Sequence, residues 1–124
     1  MRLQESGEMY LETILLLSQR FDTVRAVDIC DEMGFSKPSV SRAMGLLKSG
    51  GFIDVAANGT ITLTADGLSL AQKIYERHTI LTEVLCSLGV DEKNAAEDAC
   101  RIEHVISDAT FAAIKSHIRH KPPT

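Results

Sequence analysis

Gly34-Phe35-Ser36-Lys37-Pro38 is the stretch that leaves this chain the fewest options. Glycine adopts the left-handed conformation that ends a helix, and Ser36, two residues on, offers an oxygen that can cap a new one. Lys37 and Pro38 then fall in a first turn, where proline is tolerated. Upstream, Val27 to Met33 predicts a short helix carrying Ile29, Cys30 and Met33. Downstream, Val40, Ala43, Met44 and Leu47 recur at helical spacing until Gly50-Gly51. Short helix, tight turn, second helix with a polar tip: the pattern is a helix-turn-helix.

The next segment extends the motif. Phe52 to Val55 and Ile61 to Thr64 are short, β-prone and alternating, and the turn from Ala56 to Gly59 contains Asn58-Gly59, a strong hairpin signal. A hairpin after a recognition helix makes a wing. Before the motif, Ser6 to Arg20 predicts a helix with Ser6 as cap, Glu8 in the first turn, and Tyr10, Ile14, Leu17 and Phe21 as its apolar stripe. Met9 and Glu12 lie three apart on a second face. Thr23 is a candidate cap for the short helix. Beyond the wing, Thr64 or Asp66 opens a long helix through Leu70, Ile74, Ile80 or Leu81, and Leu85, ending near Leu88-Gly89. Asp91 caps a helix reaching about Val105, and Ser107 or Asp108 caps a last one with Phe111, Ile114 and Ile118, before Pro122-Pro123. The expected fold is mainly α: a winged helix-turn-helix domain over residues 1–64, followed by a three-helix dimerisation domain over 65–124.

Composition excludes several classes. The 124 residues carry no Trp and no long apolar run, and a stretch such as Ile14 to Leu17 is far too short to span a bilayer. No charged-then-apolar leader precedes it. Three irregularly spaced cysteines, Cys30, Cys86 and Cys100, argue against a disulfide framework and for a reducing cytoplasm. A net charge of −4 argues on its face against nucleic acid, but ligand carboxylates inflate the acid count and a bound cation offsets them. Locally the sign reverses. Ser36 to Gly50 holds Lys37, Arg42 and Lys48 and no acid. With Ser36, Ser39 and Ser41 as donors to phosphates or base edges, and Pro38 available to a thymine methyl, this face is expected to read double-stranded DNA. One module has little area, so a dimer on a two-fold operator is expected.

The second chemical feature is Cys100-Arg101-Ile102-Glu103-His104. On a helix, positions 100, 103 and 104 share a face, bringing thiol, carboxylate and imidazole together as ligands for a divalent transition metal. The spacing lacks the closure of a zinc ribbon, so alone it is weak. Cys100 is by itself more often a small buried hydrophobe, Met9 more often core, and Glu12 and His78 more often surface residues.

In combination these motifs resemble the diphtheria-toxin repressor family of metal-dependent transcriptional repressors, near its manganese-transport regulator branch. The resemblance rests on Glu8-Met9-Tyr10-Leu11, Arg77-His78 and the run from Cys100 to Asp108, and covers nearly the whole length. It implies a homodimer that binds operator DNA when loaded with Fe(II) or Mn(II) and represses metal-uptake genes. Met9, Cys100, Glu103 and His104 match the primary site of the iron-sensing branch, and Glu12 and His78 match ligands of the manganese-sensing branch. Thr82 stands where a carboxylate is usual and Ala96 where a histidine is, which puts a separate ancillary site in doubt. The SH3-like third domain of longer members is expected to be missing.

Sulfur from Met9 and Cys100 is softer than the oxygens Mn(II) prefers, so Fe(II) is the expected metal and Mn(II) the alternative. Co(II), Ni(II) or Zn(II) should substitute in vitro. Two other readings compete. Cys100 and His104 could pair as nucleophile and base, but they share one helix without a Gly-rich turn to form an oxyanion hole, and no small-molecule substrate is expected. A winged-helix sensor of a small ligand or oxidant, acting through its cysteines, would differ by ignoring chelators.

Overall fold

The computed structural model describes residues 5–120, with side chains from 6 to 119. The described elements run α1 (Glu5–Arg20), α2 (Ala26–Met33), α3 (Lys37–Ser49), β1 (Ile53–Val55), β2 (Ile61–Leu63), α4 (Ala65–Ser87), α5 (Glu92–Ile102) and α6 (Asp108–His120). The chain divides into two compact units between Gln72 and Lys73, inside α4. Each unit has its own logic. Pro122-Pro123 lies outside the described residues.

In the first unit, Tyr10, Ile14 and Leu17 are buried as their spacing requires, and Leu11 and Leu15 widen the stripe. Phe21, expected to complete it, is 48% exposed. It lies one residue past the helix, where its ring packs under the Arg20 guanidinium, 5.5 Å from the centroid, instead of joining the core. Ser6 is itself helical, so it is not the cap its residue type suggests. Ile29 from α2, Val40, Met44 and Leu47 from α3, and Ile53 and Ile61 from the strands close the same core.

The turn behaves as its residues dictate. Gly34 takes φ 70° and donates its N–H to the Cys30 carbonyl at 2.9 Å. The Ser36 hydroxyl oxygen accepts the Ser39 N–H and caps α3. Arg25, not Thr23, holds the N-cap position of α2, because Asp28 sits at the third helical position and its carboxylate accepts the Arg25 N–H at 2.8 Å. The strands pair antiparallel with Ile53 opposite Leu63 and Val55 opposite Ile61. Gly59 turns the hairpin at φ 88°, and Ile61 N–H bonds the Val24 carbonyl at 2.7 Å, tying the wing to the α1–α2 connection. Thr64 rather than Asp66 caps α4: its hydroxyl oxygen accepts the Gly67 N–H and its proton goes to the Gly51 carbonyl. At Gly67 the chain tolerates no side chain, since a Cβ there would lie 1.9 Å from the Phe52 carbonyl oxygen.

The second unit comprises the rest of α4 with α5 and α6. Asp91 caps α5 by accepting the Asn94 N–H at 3.1 Å, and its carboxyl is held below the usual range mainly by that side chain's hydrogen bonding. Helix α5 stops at Ile102 rather than near Val105; Glu103 is its C-cap and still donates its N–H to Ala99. Ser107 caps α6 by accepting the Thr110 N–H, and Asp108 is the first helical residue. Ile74, Ile80, Leu81, Ala95, Ala99 and Phe111 are buried, together with Arg77 and Glu103. Ile114 and Ile118 of the expected apolar face are half-buried. Among the described residues no helix is long and apolar enough to cross a membrane. The architecture is mainly helical, with a winged helix-turn-helix followed by three helical segments, as the spacing implied.

Candidate metal centre and DNA-reading face

Helix α5 is amphipathic with a narrow inner edge: Ala95 and Ala99, one turn apart, are buried, and the small side chains permit close approach. Continuing that edge by another turn places Glu103 inside. Its side chain has no solvent exposure. One oxygen, Oε2, lies 3.0 Å from Nδ1 of His78 on α4, and the other, Oε1, lies 3.2 Å from Nε2 of His104. That second pair lacks hydrogen-bond geometry, and Oε1 accepts no hydrogen bond among the described residues. The His104 side chain is fully buried too, whereas that of His78 is 32% exposed. Which His78 nitrogen carries the proton decides whether it donates to Glu103 or turns a lone pair toward a cation.

One donor atom each from Cys100, Glu103 and His104 lies within 4.8 Å of the others. Donors on opposite sides of a single transition-metal cation are about 4.0–4.6 Å apart, twice a metal–ligand bond, so the three can surround one ion. A buried carboxylate in this setting needs positive charge, and the neighbouring sulfur and imidazole nitrogen are ligands of choice for a divalent cation. The donor set therefore fits the metal the sequence implies. The expectation that Glu103 and His104 ride on the helix with Cys100 needs amending: they occupy its C-cap and the turn beyond, although Glu103 keeps right-handed helical angles and its N–H bond to Ala99, so it continues the buried edge.

Of the expected ligands, the structure brings Cys100, Glu103 and His104 together in the second unit, with His78 against the Glu103 carboxylate. Met9 and Glu12 belong to the first, on one face of α1, both half-buried. The expected DNA-reading residues sit on α3 and its cap. Ser36, Lys37, Pro38, Ser41, Arg42 and Lys48 are exposed. Ser39 is half-buried, its hydroxyl engaged with that of Ser36 at 2.9 Å. Leu46, one turn past Arg42, is 71% exposed and adds an apolar side chain that the reading of charges passed over.

Arg77 is the residue of the site that sequence reasoning left without a role. It sits in the apolar series Ile74, Arg77, Leu81 at helical spacing, a position where a cation has to find buried partners.

A winged reader followed by a helical unit with clustered sulfur, oxygen and nitrogen donors defines the class of metal-responsive transcription regulators. Residues 2–60 match the model of the iron dependent repressor N-terminal DNA binding domain, and residues 64–121 that of the iron dependent repressor metal binding and dimerisation domain. The chain is 35% identical over 106 residues to the transcriptional regulator MntR of Escherichia coli, covering 86% of this chain and 68% of that protein. It is 31% identical to the diphtheria toxin repressor of Corynebacterium diphtheriae, over 86% of this chain but 47% of the relative. An uncharacterised HTH-type transcriptional regulator of Methanocaldococcus jannaschii is 30% identical over 91% of this chain and 92% of its own length. Among solved structures, a manganese-dependent transcriptional repressor in complex with manganese superposes with a TM-score of 0.81 at 25% identity, over 93% of this chain and 53% of that one. The chain thus spans about half the length of that repressor. It belongs to the iron-dependent repressor family of metal-dependent transcriptional repressors.

Proposed function

We propose that this chain acts as a homodimer that binds operator DNA when its second unit holds Fe(II), and so represses metal-uptake genes. The observation that carries the reading is the fully buried Glu103 carboxylate, set between the His78 and His104 imidazoles with Cys100 beside it. A divalent cation there supplies the positive charge that Glu103 lacks. His78, Cys100, Glu103 and His104 would hold it. Met9 and Glu12 of α1 are further proposed ligands; that part rests on the family resemblance, and it would couple metal loading to the DNA reader. To turn the DNA-competent state from rare to dominant, the metal must favour it by about 5.5 kcal/mol.

The thiolate of Cys100 and thioether of Met9 favour Fe(II) over Mn(II). Mn(II) is the second reading, favoured by the nitrogen and oxygen donors His78, His104 and Glu103 and by likeness to a manganese-dependent repressor. An anaerobic electrophoretic-shift series with chelator, Fe(II), Mn(II) and Co(II) separates them. Binding should vanish on chelation and return at the lowest concentration with Fe(II). Activation by Mn(II) at far lower concentration would transfer the assignment, and binding indifferent to chelation would remove it.

A further inference from the structure

We propose that Arg77 is a positioning residue of the metal centre, a cross-helix clamp that shapes the donor turn before any metal arrives. The proposal rests on the reading of Cys100, Glu103 and His104 as ligands.

Helix α5 ends at Ile102, and the chain turns through 103–107 before α6 begins. A helix end leaves carbonyl oxygens without intrahelical donors, and burying them unpaired is costly. Here the donor comes from another helix. Arg77 of α4 is 7% exposed, and its Nη1 donates to the carbonyl of Glu103 at 3.1 Å and to that of Ile106 at 2.9 Å. Its Nη2 bonds the Asp108 carboxylate at the start of α6, and its guanidinium lies over the Phe111 ring, 5.4 Å from the centroid. Lys73, one turn back on α4, reaches the same Asp108 oxygen at 2.9 Å. Its hydrogen bond and charge, with a smaller contribution from Arg77, hold the Asp108 carboxyl below the usual range.

One side chain thus spans both ends of the turn that carries Glu103 and His104. The backbone carbonyl it holds belongs to Glu103 itself, so the clamp acts on the φ and ψ angles that aim that carboxylate. His78, the next residue on α4, meets the carboxylate's Oε2. Arg77 fixes the main chain and His78 addresses the side chain from consecutive positions. Lysine could supply the charge, but its single nitrogen lacks the planar fork that serves two carbonyls and a carboxylate together. Outer residues that orient ligands typically govern metal affinity by about 10- to 100-fold.

The test uses the full chain with Co(II) as probe, because thiolate–Co(II) charge-transfer and d–d bands report both affinity and ligand geometry. Wild type, Arg77→Lys, Arg77→Met and Asp108→Asn are titrated anaerobically, with far-UV circular dichroism of each metal-free protein. Arg77→Met should remain helical, bind Co(II) about 10- to 100-fold more weakly and show an altered d–d spectrum. Arg77→Lys should restore part of the affinity, and Asp108→Asn should lose a few-fold. A purely structural role would lower the melting temperature of the metal-free protein yet leave affinity and spectrum of the folded protein unchanged, which overturns the proposal. Should Arg77→Met fail to fold, Arg77→Lys and Asp108→Asn decide: wild-type affinity and spectrum in both overturn it. A wild-type chain that binds no Co(II) removes the site reading and this inference with it; normal wild-type binding alongside unchanged variants removes this inference alone.

Discussion

The core of the first unit is assembled from hydrophobic side chains, Leu11, Ile14 and Leu17 against Ile29, Val40, Leu47, Ile53 and Ile61, whereas in the second unit Arg77 and Glu103 are buried among Ile74, Leu81, Ala99 and Phe111. Apolar burial is non-directional and complete in itself. A buried charge stabilises nothing until its partners are in place. Both terminal nitrogens of Arg77 have partners, two carbonyls and a carboxylate, and only its Nε donates to nothing among the described residues. Glu103 has imidazoles, and an oxygen with no hydrogen bond. The first unit is therefore closed by apolar packing, and the second, on the metal reading proposed above, is one whose stability would answer to a cation at Glu103.

The largest effect is expected from Glu103→Ala. It should abolish metal-dependent operator binding, a loss of more than about 100-fold in shift assays, while the helical circular dichroism persists, because the apolar core of the first unit is built from other side chains. A wild-type metal response in the variant would erase the contrast between the units.

Metal should also act unequally on the two. At a metal concentration of about 100 times Kd, the expected stabilisation is about 2.7 kcal/mol. Amide hydrogen exchange should register it in α5 and α6 and scarcely in α2 and α3. Equal protection everywhere would show that the units share one cooperative response.

For the first unit, Gly67→Ala is the corresponding lesion. The new methyl group would meet the Phe52 carbonyl, and the cost should be about 1–3 kcal/mol in urea unfolding, with metal affinity of the folded protein unchanged. Smaller still is Arg42→Ala on the exposed face of α3. It should weaken operator binding and lower the slope of log K against log salt by about 1 if the side chain meets a phosphate. An unchanged slope with altered sequence preference would instead assign Arg42 to a base edge.

Most of the reader was legible in the sequence because its signals are local. Gly34 and Ser36 act through backbone conformation and a hydrogen bond three residues away, and the stripe Val40, Met44, Leu47 follows from helical period alone. Where the expectation slipped, a neighbour had intervened. Phe21 belongs to the stripe by spacing, yet the helix ends before it; Thr23 looks like a cap, yet Asp28 selects Arg25. Cys100, Glu103 and His104 could be picked out as donors by residue type. Their geometry could not, since it depends on where α5 stops and on which helix supplies the missing donors.

The sequence by itself therefore determined the order of elements, the turn, the wing, the basic side chains of α3 and the residue types of the proposed metal donors, all properties of residue type and short-range spacing. Tertiary structure alone decided that Glu103 loses its water, that His78 faces it from 25 residues away, and that Arg77 bonds the turn leading from Glu103 into α6. Desolvation and hydrogen bonding between distant segments have no period to betray them; they exist only once helices pack and polar groups must find partners inside the protein.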